Sequence, residues 1–129
     1  MIKVSHFKQN GFTLIEVLIG LIILAIGILA VAGMQITSII GTSFSNSLSQ
    51  ASVVAQDRLE FLKGLPLNDT QLDTGTYNDG SITLPNGTFN RTYAATRNVN
   101  PNFVTIVYTV TWLEKGVSHS VSFRTIKGR

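Results

Sequence analysis

Residues able to do acid–base, nucleophilic or metal chemistry are few in this chain, and they stand far apart. It has two histidines, His6 and His119, and no cysteine. Disulfides, thiol chemistry and c-type haem attachment are therefore excluded. His6 lies near the N-terminus and His119 in a strand-like stretch, so they do not assemble a metal site, and His119 reads as a packed or rim histidine. Asp57 and Glu60 share a helical stretch but have no base, nucleophile or glycine-rich loop beside them. Arg91, Arg97, Arg124, Lys127 and Arg129 are scattered along strand-like segments, which reads as solvated surface and not as a nucleic-acid face. The Asn-x-Thr triplets at Asn68, Asn86 and Asn90 arise readily by chance in loops rich in Asn and Thr. No catalytic residue, metal site or cofactor is expected, and the chain reads as a non-enzyme.

One carboxylate is out of place. Glu16 heads an unbroken apolar run, Val17 to Met34, and no charged side chain occurs from Val17 to Gln56. A carboxylate costs about 2.5–3.5 kcal/mol at the centre of a membrane and less toward its interface, so such residues usually have a partner. Downstream the next cation is Arg58, and Lys8 lies two helical turns back on a segment not expected to be continuous helix. The partner must be a local N-terminal group or another molecule.

The apolar run sets the element that carries Glu16. At about 1.5 Å per helical residue, some 20 residues cross a hydrocarbon core about 30 Å thick. Phe12 to Met34 is long enough to span it. Lys3 and Lys8 precede the run and no Lys or Arg follows closely, which keeps the N-terminus cytoplasmic and delivers the C-terminal part across the membrane. From Asp57 onward the composition is that of an ordinary soluble domain. The charged fraction of 13% and the formal charge of +3 are averages over two unlike parts. About 65 residues without disulfides make a marginal core, which packing against a long helix would support.

Gly11-Phe12-Thr13-Leu14-Ile15-Glu16-Val17-Leu18, after a short segment with Lys3 and Lys8, resembles the prepilin processing site of the type IV pilin-like family. The resemblance implies a cut between Gly11 and Phe12 by a prepilin peptidase, then methylation of the new Phe12 amine by the same enzyme. It places Glu16 at the family's acidic position, with a role in assembly. The new α-amine and Glu16 would lie about 6 Å apart along a helix. They could neutralise each other within one subunit or between neighbours, fixing the axial register of one helix on the next. Two plainer readings compete with it. An ordinary signal peptide would use Ala30-Val31-Ala32 as its cleavage site, and a signal anchor would leave Glu16 incidental. Neither accounts for glycine, phenylalanine and glutamate coinciding beside a spanning helix.

Gly20, Gly27 and Gly33 interrupt the run, and glycine permits close helix–helix approach in membranes. Gly20 and Gly27, seven apart, lie nearly on one face. Many pilins carry a proline near the position of Gly33. Gln35 to Gln50 is read as continuing helix. Leu48, Ala51, Ala55, Leu59 and Leu62 then form an amphipathic stripe, widened by Val54, Phe61 and Leu65, until Gly64-Leu65-Pro66 ends it.

Asn68 to Gly80 reads as loop. Strands are expected over Ser81–Leu84, Thr88–Val99, Phe103–Leu113 and Val117–Ile126, with turns at Pro85-Asn86-Gly87, Asn100-Pro101-Asn102 and Lys115-Gly116. Val104, Ile106, Tyr108, Val110 and Trp112 share one face, and Val117, His119, Val121 and Phe123 alternate on the last strand. The expected fold is α+β: a long N-terminal helix covered by a three- or four-stranded antiparallel sheet. The expected parts are a leader at 1–11, a transmembrane helix at 12–34, its amphipathic continuation at 35–64 and a β-sheet domain at 65–129. The Ala-Gln-Asp-Arg-Leu-Glu stretch at 55–60 and the absent cysteine pair resemble minor pilins of the PilV-like class and minor pseudopilins of secretion systems. Implied partners are the prepilin peptidase/methyltransferase, other major and minor pilins, and the inner membrane. The rival from another class is a signal-anchored periplasmic binding module that does not polymerise.

Overall fold

The computed structural model describes residues 1–2, 11–99 and 102–128. Lys3, His6, Lys8, Asn100, Pro101 and Arg129, all singled out in the sequence, lie outside the described residues. Among the described residues the chain forms one α-helix, α1 (Leu14–Gly64), a 3-10 turn (Thr70–Leu72) and four strands: β1 (Gly75–Leu84), β2 (Gly87–Asn98), β3 (Phe103–Glu114) and β4 (Val117–Lys127). It divides into two compact units, Met1–Ile40 and Gly41–Arg129, and α1 runs through both.

In the first unit, α1 from Leu14 to Ile40 carries apolar side chains on every face, and all of them are exposed. The helix is long and apolar enough to cross a membrane. A helix apolar all round has no solvated face to present to water.

In the second unit, the rest of α1 lies on the sheet. Its buried residues are Ser47, Ala51, Ala55, Leu59 and Leu62, spaced by four, four, four and three. That is the stripe a straight helix buries on a flat partner, and the two alanines bring its backbone close. Val54 and Leu65 are half-buried beside it. Phe61 is not part of it: the ring is 48% exposed. It carries the Arg58 guanidinium 4.4 Å from its centroid. The helix ends at Gly64, but not through a left-handed glycine cap, since the glycines of positive φ are Gly80, Gly87 and Gly116. Pro66 stops it instead, because its ring disfavours helical backbone at Leu65.

The sheet is an antiparallel meander in the order β1-β2-β3-β4. Its inner face buries Phe89, Tyr93, Ala95, Val104, Ile106, Tyr108, Val110 and Trp112 against the helix stripe, and Leu72 of the 3-10 turn closes the core. The registers place Tyr77, Tyr93, Tyr108 and Phe123 in one row across all four strands. Tyr77 and Tyr93 stack at 4.8 Å between centroids, and Tyr93 and Tyr108 at 6.1 Å. The β3–β4 hairpin turns on Lys115 (φ 51°) and Gly116 (φ 79°), the paired left-handed residues of a two-residue hairpin loop.

β1 corrects the expected loop over Asn68 to Gly80. The strand starts at Gly75, six residues earlier than the alternation suggested. Its register on β2 shifts between Asn78 and Ser81, a β-bulge in which Gly80 takes φ 77°. The bulge switches the inward parity from Gly75, Tyr77 and Asp79 to Ile82 and Leu84. A strand whose inner positions hold Gly, Tyr and Asp does not look apolar in sequence, and the parity switch hides its period.

Candidate functional site

Gly11, Phe12 and Thr13 precede α1, and all three are exposed, Phe12 at 83%. Thr13 caps the helix: the Glu16 amide donates to the Thr13 hydroxyl at 3.3 Å and to its carbonyl at 3.1 Å, and the Val17 amide donates to the same carbonyl at 3.2 Å. Thr13-Leu-Ile-Glu16 is the Thr-x-x-Glu spacing of a capping box, a helix-start signal in the sequence that overlaps the glycine–phenylalanine motif and is masked by it. Glu16 lies in the first turn, where a negative charge complements the helix dipole. Its carboxylate is exposed, and among the described residues it forms no hydrogen bond or ion pair. The structure thus places the candidate cleavage bond, the candidate amine and the acid at one accessible helix start.

Gly20, Gly27 and Gly33 each open onto free space, with nothing within 4 Å of where a Cβ would stand. Gly27 floors a shallow apolar depression between Ile23, Leu24, Ile28, Val31, Ala32 and Gln35. Gly33 lies on another face, and its carbonyl accepts a hydrogen bond from the Thr37 hydroxyl at 3.2 Å. Among the described residues no contact inside the first unit calls for glycine at these positions.

The second unit has its own polar centre. The bulge aims Asp79 inward, where its carboxylate takes a bidentate pair from Arg58 of α1 at 2.8 and 2.9 Å and the Tyr108 hydroxyl of β3 at 2.7 Å. Arg91 of β2 donates to the Asp79 carbonyl at 2.8 Å, and Asn78 caps the Gly80 amide at 2.9 Å. One aspartate therefore ties the helix to three strands. Burial alone would push its carboxyl up, but the hydrogen bonds of Arg58 and Tyr108 and the charges of Arg58 and Arg91 hold it below the usual carboxylate range. The hydrogen bond to Asp79 raises Arg58 against an opposing effect of burial. Burial first, then the bond to Asp79, lifts the Tyr108 phenol well above its ordinary value. This is a fastening between the helix and the sheet.

At the other end of the sheet, His119 is half-buried, stacked on Trp112 (5.7 Å) and edge-on to Phe44 (5.1 Å). Ser43 donates to Glu114 at 2.8 Å beside them. Among the described residues no group of three or more His, Asp or Glu could hold a metal ion. Asp57 and Glu60 are exposed on the outer side of α1. Of the arginines, Arg91 is spent on Asp79 and Arg97 pairs with Asp73 at 3.0 Å, while Arg124 is exposed on β4. The structure does not gather them.

Residues 6–32 match the family described as the prokaryotic N-terminal methylation motif. No curated protein and no solved structure matches the chain. The match is confined to the N-terminal segment, spans Gly11, Phe12 and Glu16, and supports a type IV pilin-like N-terminus of the kind a prepilin peptidase processes; the apolar helix fits inner-membrane anchoring. The architecture, one long apolar N-terminal helix packed on a four-stranded antiparallel sheet, is pilin-like.

Proposed function

We propose that this chain is a structural, non-enzymatic subunit of a type IV pilus-like filament, in the role of a minor pilin or of a secretion pseudopilin, and that it primes or modifies assembly. The reading runs as one sequence of events. The chain inserts through residues 12–34 with its C-terminal domain in the periplasm. The bond between Gly11 and Phe12 is cut, and the Phe12 amine is methylated. The subunit then leaves the bilayer to pack by its helix among other pilins, in a filament that is periplasmic or extracellular. Phe12 supplies the cation, Glu16 the acid that sets axial register, and Gly20, Gly27 and Gly33 the places where helices approach closely.

The observation that carries this is Glu16: an exposed carboxylate, without a partner among the described residues, at the head of a helix long and apolar enough to span, four residues from the amine that a cut after Gly11 would create, inside the matched motif. A charge in that position is costly unless a cation meets it. The N-terminal amine is the cation that processing provides. The test is the N-terminus and intact mass of the protein from its native membrane. A chain starting at Phe12 with one added methyl is the expected result. An unprocessed Met1 or a start at Gly33 would sink the proposal, the first in favour of a signal-anchored binding module and the second in favour of a secreted protein.

A further inference from the structure

The two edges of the sheet are unlike. β1 is broken by its bulge, a device that discourages strand addition. β4 pairs with β3 through eleven consecutive positions, Val117 to Lys127, without a bulge. It holds no proline and no acidic residue, and its cations, Arg124 and Lys127, lie only near its C-terminal end. Among the described residues its other side is unpaired. Glu114 and Val117 close the two-residue turn. On a hairpin of that kind they are a hydrogen-bonded pair, so Ser118, Ser120, Ser122, Arg124 and Ile126 direct their backbone groups outward. A row of unpaired donors and acceptors fits one kind of partner, an extended strand.

Three features of the domain say which strand. First, direction. Leu84, at the end of β1, lies by Ser49 and Val53, whereas Asp79 pairs with Arg58, so β1 runs against the helix. β4 runs with it, from a hairpin beside Ser43 to Lys127, whose ammonium reaches the Lys63 carbonyl. On the reading above, neighbouring subunits come from one membrane and their helices run the same way. The β1 of such a neighbour then meets β4 antiparallel, whereas two β4 strands would meet parallel. Second, the aromatic row. Tyr77–Tyr93–Tyr108–Phe123 ends at both edges, and placing Tyr77 of the next chain opposite Phe123 continues it. Third, charge. That register sets Asn78 opposite Ser122, Thr76 opposite Arg124 and Asp73 opposite Lys127, so the cationic end of β4 meets an acid. It uses Gly75 to Asn78, the stretch of β1 before the bulge.

We propose that β4 is the docking edge for β1 of a second copy of this chain, giving a head-to-tail continuation of the sheet. This rests on the filament reading for the shared helix direction. A head-to-tail contact of this kind leaves a free β1 and a free β4 at its ends.

The chain has no native cysteine, so cross-linking is clean. Full-length chains carrying Asn78→Cys and Ser122→Cys are co-expressed with different tags and treated in membranes with a short bismaleimide. The expected result is a mixed dimer well in excess of any dimer from either variant alone. Arg124→Pro in the Ser122→Cys chain should abolish it, because an outward N–H is lost while the bonds to β3 stay. Lys127→Glu should reduce it by setting two acids together. Equal dimer from Ser122→Cys alone would assign β4 to a two-fold contact and overturn the proposal, as would no dimer or one indifferent to Arg124→Pro. The mass of the same sample reports processing separately. A mixed dimer from chains still starting at Met1 counts against the filament reading only, and a Phe12 start without mixed dimer counts against the edge pairing only.

Discussion

Asp79 carries more of the domain's architecture than any other polar residue, since Arg58, Tyr108 and Arg91 converge on it from α1, β3 and β2. Its side chain is 11% exposed and that of Arg58 28%. Removing the carboxylate therefore leaves a half-sheltered guanidinium short of its partner. Asp79→Asn should destabilise the full chain in detergent by about 1–3 kcal/mol, and Tyr108→Phe by about 1 kcal/mol. Denaturant unfolding followed by the fluorescence of Trp112, the single tryptophan and only 2% exposed, reads both. The pH dependence has a definite sign. The folded carboxyl titrates below the unfolded value of about 3.9, so its contribution is complete above that pH and fades as pH falls through the folded value. Melts below about pH 4 should lose stability faster in the wild type than in Asp79→Asn; parallel curves would show that the pair contributes nothing. None of this was legible beforehand. Asn78-Asp79-Gly80 has the composition of a surface turn, and only the bulge makes its aspartate face the core. Glu16 was legible for the opposite reason: a charge beside a run of apolar residues needs no tertiary structure to be noticed.

Elements with a single uninterrupted period are legible in the sequence. β3 alternates Val104, Ile106, Tyr108, Val110 and Trp112, and all five are buried. The helix stripe likewise runs through Ala51, Ala55, Leu59 and Leu62. The misreadings fall where the period is broken or shared. β1 changes parity at Gly80, so its first half has the look of a loop in sequence. Phe61 is large and apolar and sits beside Leu62, but one residue is 100° of helix, enough to turn it out of the interface. It is occupied there by the Arg58 guanidinium, which shelters the ring while Arg58 reaches Asp79. The two neighbours should behave very differently. Leu62→Ala opens a cavity under a fully buried side chain and should cost about 2–5 kcal/mol. Phe61→Ala gives up a cation–π contact at an exposed site and should cost under about 1 kcal/mol. Equal losses in the same unfolding assay would mean that the helix meets the sheet by a different face.

Across the whole molecule, if the chain packs in a filament as proposed, the distribution of charge makes Glu16 the residue on which axial register depends. From Val17 to Gln56 the chain offers a neighbour only neutral side chains. Packing of such surfaces is weakly directional, and it leaves helices free to slide along one another. A single acid at the head of the helix, opposed by a single amine, allows one axial setting in which both are neutralised. Replacing the acid should leave insertion intact, because removing a carboxylate lowers the cost of placing that turn in the bilayer. Glu16→Ala should therefore appear in the membrane at the wild-type level yet be absent from sheared filaments. Glu16→Gln separates the charge from a local role. Glutamine serves as well as glutamate at the fourth position of a capping box, so a residue needed only to start the helix would tolerate the change. If the charge pair sets the register, Glu16→Gln should fail as Glu16→Ala does. The readout is the ratio of filament to membrane protein for the two variants and the wild type. Incorporation of Glu16→Gln at the wild-type ratio would reassign Glu16 to the Thr13 cap and remove the electrostatic register from the assembly reading.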